Sequence, residues 1–279
     1  MNPLHGGDIS RKPPFPFFKQ LASKLLQAIR GSVSFAPYSA KEVRNELALK
    51  AFKRLMILLG AYMNRKTLIL IPCCSSKSPG GIRKYDRSSC IVNYLSPDAG
   101  NKLMALRRQV AAAFKEMPGP DVGFERPEVR IEYMKAYKRY RGNIYSRITE
   151  SSWEKLNSSQ NLKLLIVSAL YGVVKHDETI RNYNIRMDKN KIEGKLLKTW
   201  WRKHGLCDII LDYIVTNKVE VVHDFLSSSY SEAVEPLQSE VQRIGVDYIT
   251  HDYSGLGSGS NYYRGEDVQR LIQGYNENS

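Results

Sequence analysis

The chain has 279 residues, 42% apolar and 25% charged, with a formal net charge of +14, which suits one large globular domain or two modest ones. No run approaches the ~18 apolar residues of a membrane span, and the opening MNPLHGGDISRKPPFPFF lacks the apolar core of a signal peptide, so a cytoplasmic protein with no membrane partner is expected. Four cysteines, Cys73, Cys74, Cys90 and Cys207, are too few and too irregular for a secreted disulfide framework.

In chain order, residues 1–14 read as a polar, Pro-rich flexible arm. Residues 15–64 read as a helical segment. FKQLASKLLQAIRG has helical periodicity and closes on Gly31, and SAKE (Ser39 to Glu42) is a capping box that opens a helix reaching about Met63. TLILIP is then a short continuous apolar run, as in a strand covered on both faces. AGNKLMALRRQVAAAFKEM is a strong helix ended by PGP, and a Tyr-rich basic segment fills 130–148. LKLLIVSALYG is a second buried strand. IEGKLLKTWWRKHGLCDIILDYIVTN reads as helix, with Gly205 the place for a break. KVEVVHDFLSS and VDYITHDY are two further strands, SGLGSGSNYY a flexible loop, and GEDVQRLIQGY a last helix. Strands alternating with helices over 65–279 predict an α/β domain, its mixed or parallel central sheet flanked by helices.

The charge is uneven. Residues 1–160 hold 28 Lys/Arg against 12 Asp/Glu, and residues 161–279 hold 14 against 16. A basic half is the electrostatic footprint of a polyanion binder. Tyr133, Tyr137, Tyr140 and Tyr145 interleave its charges, as rings that stack on bases would, although helical spacing also suits a core face.

Three stretches carry chemistry. Pro72-Cys73-Cys74-Ser75-Ser76-Lys77 places two thiols and an amine at a strand end, where a nearby cation activates a thiol. A buried sulfur in a tight turn is the plain alternative. Alternation along a strand would let at most one of the two cysteines line a site. The pair lacks C-x-x-C spacing and has no His cluster beside it, so no metal is expected, and no cofactor. SALYGVVKHDETIRNYNIRM (Ser168 to Met187) brings Tyr171, His176, Asp177 and Glu178 near the sheet edge, where a carboxylate shuttles protons or positions water. HDFLSSSYSEAV (His223 to Val234) sets serines at a strand-to-helix junction, fit to cap the helix or to bind phosphate.

YRGNIY at 140–145, LLIVSALYGVV at 164–174, IRNYNIRM at 180–187, LLKTWW at 196–201 and FLSSSYSEAV at 225–234 occur in the order typical of one family. Over roughly residues 65–275 the chain resembles the YaaA/DUF328 (UPF0246) family. That resemblance implies an α/β core with a basic cleft, DNA binding and a role in the peroxide-stress response. It does not extend to the residues before 65. IPCCSSK stands where such proteins usually have an I-S-P-A-K-like strand end, and SGLGSGSNYYRG replaces a basic A-K-K-A-R-G stretch.

PCCSSK is similar instead to the P-C-x-x-x-K motif of the archaeosine synthase core domain, which acts on the nitrile of 7-cyano-7-deazaguanine in tRNA. DUF328 members also belong to bacterial systems that write 7-deazaguanines into DNA. The combined resemblance implies an enzyme that hydrates this nitrile in double-stranded DNA to the 7-amido base, alongside other proteins of a DNA-modification cluster. The alternative is a non-enzymatic DNA-binding protein of peroxide stress. Under the first reading Cys73 is the nucleophile, Lys77 lowers its pKa or donates a proton, and Glu178 is the acid/base, oriented by Tyr171 or Ser227. Ser168, Tyr171, Tyr145, Tyr183, Ser227, Tyr230, Lys138, Arg139 and Arg141 bind the substrate or its DNA.

Overall fold

The computed structural model describes residues 50, 65–125 and 130–275. The chain divides into two units, Met1–Met63 and Asn64–Ser279, and the described fold is that of the second. The expected arm (1–14) and helical segment (15–64) lie outside the described residues.

The strands in chain order are β1 (Thr67–Pro72), β2 (Tyr133–Lys135), β3 (Leu162–Ser168), β4 (Gly172–Lys175), β5 (Thr179–Arg181), β6 (Lys191–Ile192), β7 (Lys195–Leu196), β8 (Val221–Asp224) and β9 (Asp247–Thr250). Among the described residues five of them form the central sheet, in the order β4-β3-β1-β8-β9. β1 pairs in parallel with β3 and β8, and β8 in parallel with β9, while β4 folds back antiparallel on β3. This is the expected α/β architecture with a mostly parallel sheet. All six residues of β1 are buried, as a continuous apolar run with helices on both faces requires. Each fully buried Leu or Ile there contributes about 1.5–3 kcal/mol.

The helices are α1 (Pro97–Ala113), α2 (Ala136–Arg139), α3 (Glu150–Ser158), α4 (Leu197–Lys203), α5 (Leu206–Thr216), α6 (Ser228–Val234), α7 (Leu237–Arg243) and α8 (Ser260–Gly274). α1 starts where Ser96 caps it and Pro97 occupies its first turn, a position that tolerates the missing N–H. The helical stretch before residue 217 is divided by Gly205, whose φ of 80° lies in the left-handed region. Gly172 turns β3 into β4 at φ 70°. A Cβ there would stand 2.8 Å from the Trp201 ring, so the indole packs directly on the turn. None of the helices among the described residues is long and apolar enough to cross a membrane.

The Tyr-rich basic segment departs from its base-stacking expectation. Tyr133, Tyr137, Tyr140 and Tyr145 are all buried. Tyr137 stacks on Trp153 of α3 with ring centroids 5.0 Å apart, and Tyr145 lies 5.2 Å from Tyr140. Their hydrophobic area outweighs the pull of the neighbouring cations, of which Lys135, Lys138, Arg141 and Arg147 stay at the surface while Arg139 is buried.

Candidate active site

β1 is the middle strand of the sheet, and the chain proceeds from it to β3 on one flank and to β8 on the other. Ligands in such sheets bind beyond the C-terminal ends of the strands, where the topology diverges. Cys73 is the first residue past β1, and its N–H extends the ladder by donating to Val167 C=O at 2.8 Å. A cavity of about 210 Å³ opens there, with Cys73, Cys74, Tyr145, Ser227 and Tyr230 in its wall. Small-molecule sites usually measure ~300–1,000 Å³, so this one suits a single ring system better than a larger ligand.

The Cys73 thiol is 6% exposed. Its sulfur lies 3.1 Å from Tyr230 Oη, a contact in which thiol or phenol donates. Tyr183 donates to the same sulfur across 3.6 Å and also meets Tyr140 Oη at 2.8 Å and Ser168 Oγ at 2.9 Å. Burial first, then the charge that a Cys73 thiolate would bring, hold all three phenols well above the ordinary tyrosine range. They are neutral donors at physiological pH. Lys77 Nζ sits 3.9 Å from the Tyr183 ring centre and donates to Cys74 C=O at 3.1 Å. Burial lowers its pKa, while the two cysteines act to raise it. Lys77 thus acts on the thiol through its field and through the Tyr183 ring, and spends its hydrogen bonds on carbonyls.

Cys74 also lines the cavity, contrary to the expectation that only one cysteine would. The strand ends at Pro72, so alternation no longer governs the next two side chains. Its sulfur accepts from Gly142 N–H at 3.2 Å and donates to Ser76 C=O at 2.9 Å. Burial, and then the neighbouring Cys73, push this thiol up to about 11, so Cys74 stays protonated at neutral pH. A Cβ at residue 142 would fall 2.8 Å from that of Cys74, so the chain closes over this sulfur only because residue 142 is glycine. Cys73 is the other thiol in the cavity wall.

Several assigned residues are placed elsewhere. Glu178 is fully buried in an ion pair with Arg107 (2.8 Å), and it accepts from the N–H groups of Ile91 and Lys175 at 2.9 and 3.3 Å. It does not line the cavity, and its carboxylate is committed to these three partners. Tyr171 donates to Asp121 at 2.6 Å, inside the second buried pair, Asp121–Arg181, so it orients no base at the thiol. Arg139 is buried and bonds the carbonyls of Ser78, Glu132 and Ile180; carbonyl acceptors, not phosphates, use its guanidinium. Lys138 is exposed and paired with Glu150 at 3.5 Å. Arg141 is exposed beside Gly142, its N–H tied to Ser76 C=O. Tyr145 donates to Pro72 C=O at 3.0 Å and so braces the strand end. Ser227 stands at the start of α6 without a capping hydrogen bond from its side chain.

Sequence reasoning passed over the rim. Arg186 and Asp188 line the mouth with Asn143 and Asn261. The first two lie in or beside IRNYNIRM, where two opposite charges two residues apart were the available signal. Among the described residues no group of three or more His, Cys, Asp or Glu side chains is arranged to hold a metal ion.

A thiol at the divergence point of a parallel sheet, ringed by neutral phenols and open to a small polar cavity, defines an α/β protein with a candidate nucleophile. A family profile described as Peroxide stress protein YaaA matches residues 82–275, and the chain belongs to that family. It is 23% identical over 145 residues to a UPF0246 protein of Francisella tularensis subsp. tularensis (strain WY96-3418). The UPF0246 proteins of F. tularensis subsp. mediasiatica (strain FSC147) and subsp. novicida (strain U112) match to the same extent. The match covers 50% of this chain and 56% of each relative, so the chain spans about half the length of the curated relatives it matches. The profile match begins beyond Cys73, Cys74 and Lys77, whereas Tyr140, Tyr183 and Tyr230 fall within it.

Proposed function

We propose that this protein hydrates the nitrile of 7-cyano-7-deazaguanine in DNA to the 7-carboxamide, through a thioimidate on Cys73. The observation that carries this reading is the Cys73 sulfur in the wall of a cavity sized for one base, 3.1 Å from the Tyr230 hydroxyl. A nitrile carbon is electrophilic, and thiol addition divides a slow hydration into two easier steps. In the first, the S–C bond forms and one C≡N π bond breaks. The thiol proton passes to Tyr230 as the Tyr230 proton passes to nitrogen. In the second, water adds to the thioimidate carbon and gives up its protons to nitrogen and sulfur. The C–S bond then breaks and leaves the amide and the free thiol. Tyr230, not Glu178, is the proton carrier in this scheme. Tyr183 donates to the sulfur and stabilises negative charge on it, and Lys77 adds a positive field beside the Tyr183 ring.

The setting supports a polyanionic substrate. Arg83, Lys84 and Arg87 are exposed along one groove, and Arg141 is exposed next to the cavity. A cavity of this size takes a base only when it has left the stack, which costs a few kcal/mol, to be offset by phosphate contacts. Binding is then strongly salt-dependent. The test is mass spectrometry of nucleosides from cyano-deazaguanine DNA incubated with the protein. A gain of one water, absent with Cys73→Ala, is expected. DNA bound with no mass change would instead favour a binding protein without catalysis.

A further inference from the structure

We propose that Arg186 and Asp188 read the Watson–Crick edge of a guanine-type ring, one with a 6-oxo and a 2-amino group, and so select the base that reaches Cys73. The inference rests on the reading above that a purine-like base enters the cavity, and it adds the residues that choose which one.

Asp188 is the one carboxylate in the cavity wall among the described residues. Arg186 meets it twice, Nε to Oδ1 at 3.2 Å and Nη2 to Oδ2 at 3.0 Å. The turn that carries both is tied at its ends. Arg186 N–H donates to Asn190 Oδ1 at 2.8 Å, and Asn190 N–H donates to Arg186 C=O at 3.1 Å. The two side chains are 41% and 43% exposed. An exposed pair of this kind contributes little to stability, so it can trade one of its internal hydrogen bonds for a ligand at small cost. The hydrogen bond from Arg186 also keeps Asp188 ionised, an acceptor with two oxygens.

A guanine-type edge presents two adjacent donors, N1–H and the 2-amino group, beside the acceptor O6. A carboxylate takes both donors in a fork, and the neighbouring guanidinium supplies O6. An adenine-type edge reverses this pattern, with a lone pair on N1 and a donor on N6. It would set that lone pair against the carboxylate and leave the guanidinium unmatched. The rim has a second oriented group. Asn261 Oδ1 accepts from Arg264 Nη1 at 2.7 Å, so the Asn261 amide is left with N–H donors for the ligand. The pattern of donors and acceptors therefore suits a ring that carries carbonyl and amino groups on one edge, with its electrophilic substituent toward Cys73.

The experiment uses the full chain carrying Cys73→Ala, which stops turnover, with and without Asp188→Asn. The probes are two oligonucleotides that differ only in one residue, 7-cyano-7-deazaguanine or 7-cyano-7-deazaadenine. Competition binding is expected to favour the guanine-type probe by roughly 10- to 100-fold, in the range of one good bidentate base contact. Asp188→Asn should erase most of that preference by weakening the guanine-type probe alone, with an unchanged melting temperature. Equal binding of the two probes, or a preference that survives Asp188→Asn, overturns the inference. Water addition by the Cys73 protein is scored separately on both probes. Selection through Asp188 without water addition sustains this inference and refutes hydration. Hydration of both bases alike, unaffected by Asp188→Asn, refutes this inference and leaves hydration standing.

Discussion

Around Arg107, Glu178, Asp121 and Arg181 the interior holds full charges; around Cys73 it holds a thiol, phenols and a serine, with one ammonium at the margin. In the first region every charge is consumed. Arg107 bonds Glu178 and the carbonyls of Tyr171 and Val173, and Arg181 bonds Asp121 and the carbonyl of Met117. Such closed networks hold β4, β5 and α1 together and have no capacity left for a ligand. In the second region the thiol, the phenols and the serine share protons over 2.8–3.6 Å, and Cys73 and Tyr230 line an open cavity. Buried polarity alone does not mark a site. What differs is whether donors and acceptors remain uncommitted beside a space that a substrate can enter.

Four measurements sharpen this contrast. The largest effect is expected for Cys73→Ala, which should reduce nitrile-to-amide conversion by more than ~10³-fold, as loss of a covalent nucleophile does, while thermal melts change little. Glu178→Gln should do the reverse. It leaves Arg107 charged and unpaired in the core, at a cost of about 3–5 kcal/mol read from urea unfolding, and the surviving folded fraction should still convert substrate. Conversion that vanishes in fully folded Glu178→Gln protein would return the carboxylate to the chemistry.

Acid should act on a third set of groups. Burial lowers His176 and His251 to about 4 and His223 to about 3. The unfolded chain therefore takes up protons near pH 6.5, before the folded one does. The stability these groups confer is full above pH 6.5 and declines as pH falls toward 4. The decline should reach a few kcal/mol for each histidine, at about 1.4 kcal/mol per pKa unit, in denaturation midpoints taken across that interval. A flat profile would show that the histidines titrate in the fold as they do in the unfolded chain. The smallest effect is expected for Tyr230→Phe, which removes the proton carrier but keeps the ring. Conversion should fall about 10²-fold with unchanged stability, and an equal loss in DNA affinity would reassign Tyr230 to binding.

The sheet was legible because its strands are short apolar runs. TLILIP and LKLLIVS announce themselves by composition, whereas the phenols reach Cys73 from the end of α2, from the segment after β5 and from within α6. The burial of Glu178 away from the cavity was hidden for a long-range reason. Its partner Arg107 is 71 residues away in the chain, on a helix whose pattern gives no sign that a cation points inward. The burial of Arg139 was hidden likewise, because KAYKRYR reads as a solvated charge run, yet the carbonyls of Ser78, Glu132 and Ile180 converge on that guanidinium. β4 and β5 themselves were hidden in a stretch that reads as a loop after Gly172, since three- and four-residue strands leave too short a period to detect. The rim pair at Arg186 and Asp188 has no periodic signature at all. Only the turn closed by Asn190 puts both at the cavity mouth.

The end of β1 is held by groups that do not depend on which atoms it carries. Tyr145 grips the carbonyl of Pro72, Ser76 C=O receives the Arg141 amide, and Ser78 N–H reaches Arg139 C=O. Each of these fastenings on β1 is to main chain. Residues 73–77 are consequently a socketed insert. Two of their side chains add to that seat, the Cys74 sulfur accepting from Gly142 N–H and Lys77 donating to Cys74 C=O. The family match starts at residue 82, so this strand tip lies outside it, while the Tyr145 side that braces it lies within.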